Sequence, residues 1–235
     1  MQRIAEELIE RIKSKQNVDK ARWLENYVKH DVKAYGVGIP EIRQIVQQTW
    51  SGKMEHTSIQ EQTECVNQLI RHEYTEPKLA AILIVQLYWK SVEPAQFVPL
   101  ISEWFDAGAI SDWNVCDWLC VRILTPLLER DAGLCVTEFR KWNRHPSIWK
   151  ARASLVPFAM AKTIDRHGDV IAAFSSVLIQ RDERFCKTAV GWVMREYSKV
   201  DATYVAAFLE ERKAWLTKEV IKNATKYMGS KCITQ

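Results

Sequence analysis

The chain has 235 residues, is 47% hydrophobic and 26% charged, and carries a formal net charge of +4. That is the composition of a globular protein with a sizeable core, in one large domain or two small ones, and the mild positive charge permits nucleic-acid binding without demanding it. No run approaches the roughly 18 consecutive apolar residues of a membrane span, which excludes a helix of that kind.

The first stretch, MQRIAEELIERIKSKQ, is charged throughout and lacks the apolar segment of a signal peptide, so a cytoplasmic protein is expected. Ile4, Leu8 and Ile12, four apart, predict an amphipathic helix. ARWLENYVKHDV reads as a second. In YGVGIPEIRQIVQQTW a turn at Gly36 and Gly38 precedes Pro40, which suits the first position of a third helix. SIQEQTECVNQLIRH follows, with Ser58 as N-cap and Glu61 completing a capping box. Beyond residue 75 long apolar helices recur: PKLAAILIVQLYWK, DWLCVRILTPLLER, WKARASLVPFAMAK, FCKTAVGWVMREYSK and LTKEVIKNATKYM. Shorter amphipathic pieces lie between them: AQFVPLISEWFDAG, GLCVTEFRKWN and VIAAFSSVLIQR. AAILIVQLYW has the composition of a strand, but its length and surroundings favour helix. With only 8 glycines and 7 prolines, the chain has few turn-formers, as helices joined by short loops require.

Small residues recur near the middle of the long helices. Ala81, Cys120, Ala153 and Ala189 are separated by 39, 33 and 36 residues. Helix pairs at a period of about 35 to 45 residues mark an α-solenoid. The expected fold is all-α, a solenoid of HEAT-like antiparallel helix pairs with a concave face, in one domain over residues 1–235. An irregular helical bundle is the alternative. The six cysteines (Cys65, Cys116, Cys120, Cys135, Cys186 and Cys232) form no CxxC, and Cys116 and Cys120 read as small core residues. Disulfides are not expected in a reducing cytosol. The five histidines are scattered, so no metal site is expected. GxGxxG and GxxxxGK[ST] are absent, which counts against nucleotide-binding folds of those types.

In AISDWNVCDWLCVRIL, residues 109–124, Trp113 and Asp117 stand one helical turn apart and share a face. IWKARAS brings Trp149, Lys150 and Arg152. In TAVGWVMREYSK, spacings of three and four put Trp192, Arg195 and Lys199 on one face. Cations interleaved with aromatics suit nucleic acid, the cations meeting phosphates and the rings packing on sugars or bases. Each residue taken singly has a plainer reading. An aspartate in a helix's first turns serves the macrodipole or a cap, and a tryptophan usually belongs to the core. Ser111 reads as an N-cap, and Asp112 and Asn114 as cap-like or solvated. Lys218, Lys222 and Lys226 form either a solvated face or a phosphate-contacting stripe.

SDWNVCD (111–117), IWKARA (148–153) and AVGWVMREY (189–197), in that order, together with YVKHDVKAYGVGIPEIRQI (27–45), resemble the AlkD-type helical-repeat alkylpurine DNA glycosylases over nearly the whole chain. The resemblance implies a HEAT-like fold cradling duplex DNA and a monofunctional enzyme that excises purines alkylated at N3 or N7, with no cofactor or metal. It puts Asp117 at the catalytic carboxylate and Trp113 and Trp192 at the aromatic pair flanking the lesion-bearing deoxyribose. Arg152 falls at the DNA-backbone arginine and Tyr27 on the DNA-facing surface; the helix face shared with Trp192 adds Arg195 and Lys199 as further backbone anchors. The chain departs from the pattern at Asp112, where a second aromatic is common, and at Gly38, where a polar DNA-contacting side chain can occur. The expected partner is double-stranded DNA containing alkylated purines, bound by a monomer. A non-catalytic DNA-structure binder and a protein-interaction solenoid are the alternatives.

The chemistry suits this residue pair. Alkylation at N3 or N7 makes the purine cationic and a good leaving group, and breaking the glycosidic bond builds oxocarbenium character on the sugar. A nearby carboxylate stabilises that charge and can orient water. Aromatic faces attract the cation.

Overall fold

The computed structural model describes residues 2–29, 31–54 and 57–229, so Cys232 lies outside the described residues. Helices account for its regular structure. The described residues form no strand, only an isolated bridge between Lys33 and Tyr74. No helix among them is long and apolar enough to cross a membrane.

The helices gather into two compact units, one up to Ile123 and one from Leu124. The first holds α1 (Gln2–Lys13), α2 (Val18–Tyr27), α3 (Ile39–Trp50), α4 (Ile59–Ile70), α5 (Thr75–Tyr88), α6 (Pro94–Asp106) and α7 (Trp113–Leu119). Within it α1 packs on α3, α3 on α5 and α5 on α7, while α4 pairs with its chain neighbour α5. The second holds α8 (Thr125–Arg130), α9 (Ala132–Asn143), α10 (Ile148–Ala153), α11 (Gly168–Leu178), α12 (Arg184–Tyr197), α13 (Ala202–Glu211) and α14 (Lys218–Ala224). Here α8 pairs with α9, α9 with α10, α11 with α12 and α12 with α13. In addition α9 packs on α11, α10 on α12 and α12 on α14. Pairing with the next helix and stacking on the next but one is how helical repeats build a core. The all-α repeat fold expected from the sequence period is the one observed.

The period works through small side chains. Ala81, Cys120, Ala153 and Ala189 are all buried. Gly191 serves the same end in α12, where a Cβ would stand 3.3 Å from the Cα of Val220 on α14. Burial holds the thiols protonated, pushing Cys65 and Cys186 up to about 11 and Cys135 up to about 12. The five described cysteines are all buried.

Local signals set most helix starts. Ser58 and Glu61 form the predicted capping box, the Glu61 N–H donating to Ser58 Oγ at 3.2 Å and the Ser58 N–H to Glu61 Oε2 at 2.9 Å. Two expected helices are interrupted. DWLCVRILTPLLER splits into α7, a π-helical turn at Cys120–Leu124, and α8, because Pro126 has no N–H to continue the ladder. WKARASLVPFAMAK gives α10 and then a 3₁₀ turn over Val156–Met160, which contains Pro157. Pro40 takes the second position of α3, behind Ile39. α13 falls between the expected pieces. Its N-cap is Asp201, which accepts from the Tyr204 N–H at 2.8 Å.

Gly36 combines a left-handed backbone with a close approach to α2. Its φ is +79°, and a Cβ there would stand 2.2 Å from the Asn17 carbonyl oxygen and 2.5 Å from the Ala21 nitrogen. Both are backbone atoms at the start of α2 and cannot swing away. Gly36→Ala combines this clash with a left-handed φ and is expected to cost more than ~1 kcal/mol, lowering the melting temperature by roughly 3 °C or more. A thermal melt followed by circular dichroism checks it.

Candidate active site

α7 begins at Trp113. The N-cap is Asp112, one residue later than the expected Ser111. Its backbone is extended (φ −143°, ψ 160°), and its Oδ1 accepts from the Val115 N–H at 2.9 Å. Ser111 is exposed, whereas Asp112 is only 2% exposed. Beside Asp112 lies a second buried charge, Lys78 of α5. Its Nζ donates to the Ala109 carbonyl at 2.6 Å. Burial pushes the Asp112 carboxyl above the usual range, opposed by the Val115 N–H and the Lys78 ammonium. Burial likewise lowers the Lys78 pKa, opposed by Asp112. The two charges compensate each other in a desolvated place and pin the loop that feeds α7. The departure from a second aromatic at position 112 therefore has a structural use here.

With α7 so fixed, Trp113 and Asp117 follow one turn apart on its outer part, both half-buried. Between them Val115 and Cys116 face the core. Trp113 does not stand alone: its ring meets that of Tyr27, from α2, at 5.1 Å in an edge-on arrangement. Tyr27 in turn stacks on Trp23 with centroids 5.1 Å apart and ring planes 7° apart. Tyr27 and Trp113, 86 residues apart in sequence, thus meet as neighbours, with Asp117 on the same helix.

α2 buries no residue of its own, so something else must hold it. The segment after it does. Glu25 accepts the Ala34 N–H at 3.1 Å, and the Asn17 N–H donates to the Tyr35 carbonyl at 2.8 Å. The segment itself is gripped by Glu76 of α5, only 1% exposed. One carboxylate oxygen accepts the Tyr35 N–H at 2.9 Å, and the other accepts those of Gly36 and Val37 at 2.7 and 3.2 Å. Three N–H donors satisfy a buried charge that would otherwise be prohibitive. Neither Glu76 nor Trp23 stands out in the sequence. Glu76 acts across about 40 residues, and a tryptophan reads by default as core.

The remaining candidates belong to the second unit. Arg152, on α10, is 5% exposed and donates from Nη1 to the Phe185 carbonyl at 2.7 Å and to Thr188 Oγ1 at 3.2 Å, both on α12. It is an integral part of the α10–α12 contact and not the solvated side chain that a lone arginine usually is. Trp192 is half-buried on α12, next to the close approach at Gly191. Arg195 donates to Asn223 Oδ1 at 3.0 Å and pairs with Glu196 at 2.8 Å. Lys199, past the end of α12, pairs with the same carboxylate and lies 4.5 Å over the Tyr227 ring. Burial opposes ionisation of Glu196, but the bonds from Lys199 and Arg195 outweigh it and hold its pKa below the usual range. Lys226 also approaches Tyr227, at 5.4 Å, with Lys218 and Lys222 exposed on α14. No group of three or more His, Cys, Asp or Glu side chains that could hold a metal ion occurs among the described residues.

Fold and residues together define an all-α helical-repeat protein that carries an acid and aromatics at a helix start in its first unit, and cations with aromatics in its second. The sequence profile of the DNA alkylation repair enzyme family matches residues 8–228, and the chain belongs to that family. A solved structure described as a predicted DNA alkylation repair enzyme from Enterococcus faecalis superposes with a TM-score of 0.78 at 18% identity, covering 92% of this chain and 97% of its own. At that identity the likeness establishes the fold. No curated protein matches the chain.

Proposed function

We propose that this DNA repair protein is a monofunctional glycosylase that hydrolyses the N-glycosidic bond of N3- or N7-alkylated purines in duplex DNA. The observation that carries the proposal is the meeting of Trp113 with Tyr27 one helical turn from Asp117. As the bond from C1′ to the base nitrogen breaks, the cationic purine leaves as a neutral base with the electron pair. The sugar is left with positive character. Asp117 stabilises that charge and orients the water that adds to C1′. Trp113, and by resemblance Trp192, supply aromatic faces to the deoxyribose. Arg152, Arg195 and Lys199 serve the DNA backbone, and Tyr27 the surface that DNA meets. The chemistry needs no metal or cofactor and no nucleophilic lysine, so the strand is not nicked. The work is assigned to a monomer in the DNA-containing cytosol.

The test is incubation with a duplex carrying a single N7-methylguanine, followed by assay for free base. Base release with an intact backbone supports the proposal. Tight duplex binding without release leaves a DNA-structure binder, and no binding at all leaves a protein-interaction solenoid.

Arg152→Ala is expected to have two effects. The lost bonds to Phe185 and Thr188 involve a charged donor worth about 1.5–3 kcal/mol, so the melting temperature falls by several degrees. If the guanidinium also serves a phosphate, affinity for damaged and undamaged duplex falls alike, and the slope of log K against log[salt] flattens by about one unit. Titration of a labelled duplex at several salt concentrations, beside a thermal melt, separates the two roles. A melt-only effect removes Arg152 from the DNA-binding set.

A further inference from the structure

Of the protein's ten tryptophans, Trp50, Trp89, Trp104 and Trp142 are buried, and Trp23 is the most exposed at 64%. It is not stranded on the surface. One face of its indole lies nearly parallel to Tyr27, 56% exposed, and Tyr27 abuts Trp113. Three rings therefore run in sequence from the start of α7 outward along α2, in two steps of 5.1 Å. α2 spends none of its side chains on the core, and Val18, Trp23 and Tyr27 are all exposed on it. Exposed Lys20 and Arg22 lie within the turn before Trp23, beside the exposed Asp19, while the Glu25 carboxylate is turned to the Ala34 N–H. Flat apolar rings flanked by cations are the composition of a surface that tracks a nucleic-acid strand.

We propose that Trp23 is a further DNA-contacting residue, whose open face takes the deoxyribose of a nucleotide flanking the one engaged at Trp113. Trp23, Tyr27 and Trp113 then form one aromatic track along a single DNA strand. Consecutive nucleotides rise about 3.4 Å along a strand, so two 5.1 Å steps reach past the reacting nucleotide to its neighbours. The occupant is specified by continuity with the candidate active site, so this assignment rests on the glycosylase reading. Trp23 touches no reacting atom. It contributes affinity and leaves the bond-breaking step alone.

The experiment compares Trp23→Ala, Trp23→Phe, Tyr27→Ala and the Trp23→Ala/Tyr27→Ala double variant with the full-length wild type. Trp23→Ala is expected to raise the duplex Kd and the half-saturating enzyme concentration in single-turnover excision by about five- to tenfold. The rate at saturation, the salt slope and the melting temperature stay as in the wild type. Trp23→Phe restores most of the affinity. In the Tyr27→Ala background the Trp23→Ala change still weakens binding, because the ring makes its own contact. Wild-type affinity in Trp23→Ala overturns the proposal and leaves the exposed rings to a protein partner. So does an effect that vanishes without Tyr27, which makes Trp23 only a prop, or one that tracks a fall in melting temperature. If the wild type binds duplex but releases no base, the glycosylase reading fails while the Kd series still decides the role of Trp23. If the wild type does not bind duplex, both fall.

Discussion

Asp117→Asn is expected to lower base excision by about 10²- to 10³-fold, the usual effect of removing one preorganised electrostatic group from a site of developing charge. Duplex affinity should change little, because affinity for DNA comes from backbone contacts and ring packing that the substitution leaves in place. Asparagine has nearly the same volume and is tolerated in a helix only slightly differently from aspartate, so the fold of α7 is retained. Single-turnover excision of a cationic lesion at saturating enzyme measures the chemical step, and anisotropy measures the binding. Wild-type rates in Asp117→Asn would remove this residue from the mechanism. Matched losses of rate and affinity would make it a structural residue.

Glu76→Ala should be the most damaging single change to the first unit. It deletes the acceptor of three backbone N–H groups at Tyr35, Gly36 and Val37, in a place only 1% exposed. A buried donor left without a partner costs about 1–3 kcal/mol, so a total loss of about 2–6 kcal/mol follows even if one donor finds water. Glu76→Gln is no remedy. Its amide returns one oxygen but turns an NH₂ toward backbone N–H groups, so it should recover less than half of the loss. Urea unfolding followed by tryptophan fluorescence gives both numbers. DNA affinity should fall with stability, because the 34–37 segment is what holds α2 and its rings in place. Full stability in either variant would overturn this account of the latch.

How far the sequence discloses these features depends on the range of the interaction. The capping box at Ser58 and Glu61 spans three residues, and both members are visible in the string. The pairing of Trp113 with Asp117 needs only the helical repeat. The repeat fold shows itself because small residues recur where helices must approach. The N-cap of α7 is misread by one residue because Ser111 and Asp112 are both good caps, and only the burial of Asp112 against Lys78 decides between them. DWLCVRILTPLLER reads as one helix because its apolar spacing runs on through Pro126, whose missing N–H breaks the ladder beyond Leu119. Gly36 reads as a turn residue from its neighbours, but its pairing with Glu76 is opaque for a different reason. A glycine and a glutamate are ordinary residues in a sequence, and the meaning of these two lies in a contact between residues about 40 apart. Trp23 was hidden by the general rule that tryptophans belong inside.

The way α2 is mounted has a consequence for motion. Hydrogen bonds at its two ends hold it, and it contributes no buried side chain, so its release costs far less than opening the packed α3–α5–α7 layer. It is expected to open as a unit of its own, which amide exchange over residues 18–27 checks. A duplex that touches its rings binds the docked form alone and draws the equilibrium toward it. Local order on α2 and occupancy by DNA then rise together, and the free energy of docking is subtracted from the affinity wherever the helix starts undocked.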